Sequence, residues 1–176
     1  MSEEAPEDVD ILRRLSIFGA LRPSTIEFLR DRCECVRRAP GELYFKQGEL
    51  GDAVFVLRRG RVAVEREHDD ERVVFAELEA GHCFGEVALV AIQPRTATVR
   101  AVDACSALRL RNEAIHDLYR HDLEQFAILQ MNLGREVARR LAQADEALFA
   151  YALRCGEGES RPRIRDAGDS ERAREE

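Results

Sequence analysis

Gly85, Glu86 and Arg95 lie within eleven positions of one another in the stretch FGEVALVAIQPRTATVRA, residues 84–101. A carboxylate accepts hydrogen bonds from hydroxyls, and a guanidinium pairs with phosphate or carboxylate through its planar fork. Glycine permits a sharp turn or a close approach of backbone to ligand. Phe84 reads as the end of a strand. Glu86 to Ala91 reads as a short helix whose first amides point outward unpaired, a place for an anion. The small Ala88 and Ala91 leave room for a ligand, and Pro94 ends the helix. Thr96, Ala97 and Thr98 then begin the next strand, with an amide and a hydroxyl facing the same pocket. The ligand these residues suit is small, anionic and rich in hydroxyls: a sugar phosphate or a nucleotide.

The elements that hold this stretch follow from hydrophobic period. In VDILRRLSIFGAL, residues Ile11, Leu12, Leu15 and Phe18 recur at helical spacing. RPSTIEFLRDRC forms a second helix, with Pro23 in its first turn. From residue 33 the period changes. Strands rich in Val, Phe and Tyr are punctuated by Pro40-Gly41, Gly48, Gly51-Asp52 and Gly60, the pattern of a β sandwich or barrel. Two strands meet near Gly60, another follows the HDDE turn, and CSALRLRN is the last. NEAIHDLYRHD is then a short helix with Asn112 as its N-cap. A long helix follows Asp122. On it Val137, Leu141, Ala144, Leu148 and Tyr151 alternate by four and three, a coiled-coil-like seam.

Composition narrows the function classes. The 176-residue chain carries a net charge of −7, and Lys46 is its single lysine. That balance does not suit a protein that wraps phosphate backbones, which needs clustered basic residues. No apolar run spans a bilayer and the acidic N-terminus has no apolar core, so the expected location is the cytoplasm. Five scattered cysteines make no disulfide framework, and four dispersed histidines make no metal motif, so no metal and no enzyme are expected. Cys33 and Cys35 should share one face of a strand. Residues 1–8 read as a disordered N-terminus and 156–176 as a disordered charged tail, around one domain over residues 9–155.

FGEVALVAIQPRTATVRA closely resembles the phosphate-binding cassette of cyclic nucleotide-binding domains, without insertion or deletion. PGELYFKQGELGDAVFVLRRGRVAV resembles the glycine-punctuated strands that precede it in that family, and the flanking helices also fit. The resemblance covers about residues 9 to 155, as in the sensor domains of bacterial cAMP receptor proteins and kinase regulatory subunits. It implies an α+β fold: an eight-stranded, jelly-roll-like β roll with N-terminal helices, a short cassette helix and a long C-terminal helix. It also implies a 3′,5′-cyclic nucleotide as ligand. Arg95 would pair with the cyclic phosphate and Glu86 would accept from the ribose 2′-hydroxyl. Phe84, Gly85, Val87, Ala88, Leu89 and Ala97 would line phosphate and ribose, and Thr96 would sit near phosphate and base. The long helix would act as lid or dimer seam, with Asp145 near the base.

The ligand is read as cAMP, with cGMP as the alternative. Asp145 could accept from two donors on one edge of guanine, whereas adenine offers its amino group alone. In this family a hydroxyl residue at the position of Thr96 also occurs in bacterial members that bind cAMP. The 21 residues after Cys155 are too few and too polar for a further folded DNA-binding module. The expected function is therefore a stand-alone cyclic nucleotide sensor acting on an unknown protein effector, without direct DNA or membrane binding. Residues 137–151 would supply a homodimer interface. The alternative is a degenerate fold that serves as a protein-interaction module without ligand.

Overall fold

In the computed structural model, residues 9–69 and 71–155 are described. The expected terminal segments, 1–8 and 156–176, lie outside them. The element order is α1 (Val9–Leu12), a 3-10 turn (Ser16–Phe18), α2 (Pro23–Arg30), β1 (Glu34–Arg38), β2 (Leu43–Phe45), β3 (Ala53–Arg59), β4 (Arg61–His68) and β5 (Glu71–Glu79). There follow β6 (Cys83–Phe84), α3 (Glu86–Val90), β7 (Thr98–Ala101), β8 (Cys105–Arg111), α4 (Asn112–His121) and α5 (Leu123–Cys155). Eight antiparallel strands form two four-stranded sheets, ordered β1-β8-β3-β6 and β2-β7-β4-β5. This is the α+β roll that the sequence implies.

Two apolar clusters hold it, and β3 serves both. Ala53, Phe55 and Leu57 pack between the sheets against Tyr44, Phe45, Phe84 and Val99. Val54 and Val56 point the other way, into a cluster with Ile17, Phe18, Ile26, Leu118, Leu129 and Leu133 from the helices. A strand covered on both faces reads as a continuous apolar run, and AVFVL does. The aromatic set between the sheets is tight: Phe55 and Phe84 stack at 5.2 Å between centroids, and Tyr44 meets Phe84 edge-on at 4.9 Å.

Local details depart from the sequence reading. The opening helix breaks, because Leu15 is extended and the Ser16 amide donates to Gly81 O at 3.2 Å. Asn112 is the first residue of α4, not its cap, which is Arg111. The Asn112 side chain instead donates to Gly51 O at 3.3 Å, tying α4 to the loop before β3. β1 begins at Glu34, so Cys33 precedes the strand, and burial pushes its thiol pKa up to about 12. The first half of α5 is pinned by polar contacts: Asn132 Nδ2 donates to Ile17 O and Gly19 O at 3.0 and 2.7 Å. The Arg22 amide donates to Gln125 Oε1 at 2.7 Å. Chain contacts divide the molecule after Ala138, inside α5. In the second unit, taken by itself, Leu141, Leu148, Phe149, Tyr151 and Leu153 are exposed.

Gly60 joins β3 to β4 at φ +84, and a Cβ there would stand 2.7 Å from both Ala104 O and Cys105 Sγ. Gly60→Ala should therefore cost about 1–3 kcal/mol. Urea unfolding of the two proteins measures it, and an unchanged midpoint would mean that the turn is not held in this geometry.

Candidate functional site

β6 ends at Phe84, and the chain then turns through Gly85 at φ +82, the left-handed region that glycine enters at no steric cost. Gly85 caps α3. Glu86, first residue of α3, is fully buried, as is Ala88 to within 4%. Leu89 packs on the helix-side core, and Val87 is half-buried. The chain leaves α3 through Ile92 at φ 51 and comes back along the loop between β2 and β3. Two backbone bonds latch it there: the Arg95 amide donates to Glu49 O and the Gly48 amide to Arg95 O, each at 2.8 Å.

Arg95 is the centre of the arrangement. It is 4% exposed. Its Nη1 donates to Gly85 O at 2.8 Å and its Nη2 to Ala53 O at 2.7 Å. Asp52 Oδ1 lies 3.8 Å from Nη2, and the guanidinium sits over the Phe45 ring, 4.2 Å from its centroid. Its Nε has no hydrogen-bond partner among the described residues. Burial lowers the Arg95 pKa, and Asp52 opposes that effect. A guanidinium remains protonated under such pressure, so the site holds a positive charge in a dry setting. A charge of that kind, bonded to two neutral carbonyls, can receive an anion that offers better acceptors.

Two glycines make the fit possible. A Cβ on Gly85 would stand 2.5 Å from Arg95 Nη1, and one on Gly51 would stand 2.5 Å from Ala88 Cβ. The first lets the guanidinium lie against the turn, and the second lets α3 close on the β2–β3 loop. A buried carboxylate at Glu86 and an unspent donor on Arg95 suit a ligand with both hydroxyl and phosphate groups.

The structure brings Phe84, Gly85, Glu86, Val87, Ala88, Leu89, Arg95, Thr96 and Ala97 into one continuous turn–helix–turn. Asp145 lies exposed on α5 in the unit that begins at Arg139. The return strand starts later than the sequence suggested, at Thr98. Its hydroxyl accepts from the Gln47 amide at 3.0 Å, while Thr96 O accepts from Arg66 Nε at 2.9 Å. Sequence reading missed Phe45, Glu49, Gly51, Asp52, Ala53 and Arg109. Gly51-Asp52 was visible only as turn punctuation. Asp52 is also paired with Arg109, which bonds Glu34 in turn.

The family model of the cyclic nucleotide-binding domain matches residues 35–122, half of the chain. The cAMP-dependent protein kinase type II regulatory subunit of Drosophila melanogaster is 41% identical over 101 residues, 57% of this chain and 25% of its own. A cyclic nucleotide-gated cation channel of Ictalurus punctatus is 26% identical over 151 residues, 82% of this chain and 22% of the channel. This chain thus spans about a quarter of these curated relatives. Among solved structures, the Thermus thermophilus catabolite activator protein aligns with TM-score 0.66 and 28% identity over 78% of this chain and 63% of that one. A cyclic nucleotide-binding domain from Methylobacillus flagellatus aligns with TM-score 0.73 and 17% identity over 81% of each chain, which shows the fold.

Gly85→Ala should displace the Arg95 guanidinium as well as strain the turn, at about 1–3 kcal/mol. In a double-mutant cycle with Arg95→Met, the two losses should be non-additive by about 0.5 kcal/mol or more. Additive losses would mean that the turn and the guanidinium do not depend on each other.

Proposed function

This chain belongs to the cyclic nucleotide-binding domain family, and on that premise we propose that it is a cyclic nucleotide sensor acting on a separate protein effector. The observation that carries the reading is Arg95: a buried guanidinium, held by neutral carbonyls beside a glycine turn, with Nε unspent. A cyclic phosphate exchanges those neutral partners for an anionic one. Glu86 accepts from the ribose 2′-hydroxyl, and Gly85, Val87, Ala88 and Ala97 line phosphate and ribose with Phe84 and Leu89 beneath them. Thr96 stands at the phosphate–base boundary. The same fold without ligand, serving only to bind a protein, is disfavoured because carboxylate, guanidinium and glycine are all present at the turn.

Among the described residues no helix is long and apolar enough to cross a membrane. The proposed protein is a cytoplasmic regulator without catalytic chemistry of its own. The ligand is cAMP, with cGMP the alternative. Movement of α5 on binding passes the signal to the effector, and the exposed seam around residues 137–151 pairs two copies. Both kinds of relative occur here: one a cGMP-dependent protein kinase of Plasmodium berghei and one a cAMP-dependent regulatory subunit of Blastocladiella emersonii.

A ligand that binds only the folded state raises the melting temperature, so a thermal shift with cAMP and with cGMP tests the reading directly. Arg95→Lys keeps a charge but loses the fork, and Arg95→Ala removes both. The Ala variant should lose roughly 3–5 kcal/mol of ligand affinity, about two to three and a half orders of magnitude, with Lys only partly restoring it. The melting temperature without ligand reports any damage to the fold separately. No shift with either nucleotide in the unmodified protein would leave the ligand-free interaction module as the function.

Asp145 is proposed as a reader of the base edge. Asp145→Ala should then weaken cGMP more than cAMP, because guanine alone supplies two donors from one edge. Competition binding gives the ratio of the two affinities, and an unchanged ratio removes Asp145 from base recognition.

A further inference from the structure

A line of charged side chains runs from the edge of one sheet to the cassette. Arg109 and Arg111 stand two apart on β8, so they share one face of that strand, and Glu34 of β1 lies opposite Arg109. Arg111 Nε donates to Glu34 Oε1 at 2.9 Å, and Arg109 Nη1 donates to Glu34 Oε2 at 3.4 Å. Arg109 Nη2 donates in turn to Asp52 Oδ2. Asp52 Oδ1 is left 3.8 Å from Arg95 Nη2, beyond hydrogen-bond distance. The carboxylate beside the buried guanidinium is therefore bonded to a different arginine. The Asp52 side chain is 56% exposed and that of Arg95 3%. Such a carboxylate is drawn inward, because charges attract more strongly where water is excluded and an arginine fork takes a carboxylate in two bonds. The group that restrains Asp52 is Arg109.

We propose that Arg109 is a positioning residue for the anion at Arg95: it holds Asp52 off the guanidinium and so keeps that guanidinium open to the cyclic phosphate. The inference rests on the cyclic nucleotide reading and deepens it. In the unmodified protein Asp52 eases the buried charge from a distance, while Nη1 and Nη2 stay on the neutral carbonyls of Gly85 and Ala53, which an anion can displace. Without Arg109, Asp52 closes on Nη2. The phosphate then meets a guanidinium already paired and a carboxylate of its own sign. Arg109 also contributes its own charge. Burial lowers the Arg95 pKa, Asp52 opposes that, and the Arg109 charge adds to the lowering, so the second guanidinium is felt at the site. Both effects of Arg109 favour the bound anion. Glu34 does not draw Arg109 away, because Arg111 shares its carboxylate.

Calorimetric titration of the full chain with cAMP and with cGMP compares the unmodified protein with Arg109→Gln. The variant should bind about five- to twentyfold more weakly, and Arg109→Lys, which keeps a charge beside Asp52, should recover most of that loss. In an Asp52→Asn background no carboxylate needs to be held, so there Arg109→Gln should cost about threefold or less. Urea unfolding without ligand reads the same contact: the coupling between Asp52→Asn and Arg95→Met should rise about fivefold or more, as a ratio of folding equilibrium constants, once Arg109→Gln is introduced. Arg109→Met carries the same expectations if Arg109→Gln folds poorly. Affinity unchanged by the substitution overturns the proposal. So does a loss of the same size in the Asp52→Asn background, which would mean that Arg109 does not act through Asp52, or a coupling that Arg109→Gln leaves unchanged. Failure of both nucleotides to bind the unmodified protein overturns the cyclic nucleotide reading instead, and the unfolding measurements then decide by themselves whether Arg109 holds Asp52 off Arg95.

Discussion

A guanidinium buried in a protein must find acceptors, and much of this structure is the means by which Arg95 finds them. Water is gone, so each N–H needs an oxygen at the right distance, and the positive charge needs compensation. The carbonyl of Gly85 is turned toward Nη1 by a left-handed turn that only glycine adopts cheaply. The carbonyl of Ala53 is available because β3 begins there. Asp52 brings a negative charge to within 3.8 Å, and the Phe45 ring offers its face. The Arg95 backbone is itself bonded to the β2–β3 loop in both directions. Remove any of these and the charge is stranded, which makes the cassette and the loop a single mechanical object.

That object is tied to the helices through β3. Successive residues of the strand face opposite ways, so Ala53, Phe55 and Leu57 belong to the core between the sheets while Val54 and Val56 belong to the helix-side core. Arg95 bonds the first residue of this strand. Leu129 and Leu133 of α5 pack in the same cluster as Val54 and Val56. Asn132 fixes the same stretch of α5 to the carbonyls of Ile17 and Gly19. Arg95 is thus bonded to a strand whose other face carries the helices.

The two faces of Arg95 also divide its donors. Nη1 and Nη2 are used by backbone on the cassette and loop, whereas Nε remains for another acceptor. Asp52 is shared in the same way, between Arg95 and Arg109, and Arg109 continues to Glu34 on β1. Glu34 is held below its usual pKa by its hydrogen bond to Arg111 and by the charges of Arg111 and Arg109. The outer charges are solvated and contribute little each. Their value here is positional, since they keep Asp52 beside the buried guanidinium.

The amino-acid sequence by itself determined what is local. Gly85, Glu86 and Arg95 are close along the chain, so their types and spacing marked a candidate site for an anion with hydroxyls, and the structure keeps the three together at one turn. The alternation of strands, the glycine turns and the 3.6-residue period of α4 and α5 were legible for the same reason, because period is a property of neighbours. The break between α1 and the 3-10 turn was not legible, since it depends on Gly81 O, far along the chain. Only the tertiary structure decided which acceptors Arg95 uses. Every residue carries a carbonyl, so nothing in the types of Ala53 or Gly85 marks theirs as the ones that will face a guanidinium. The same holds for Asn132, an ordinary polar residue on a helix until its amide meets Ile17 and Gly19, more than a hundred residues away. Side-chain chemistry is written in the sequence, but the backbone oxygens that complete it are chosen by the fold alone.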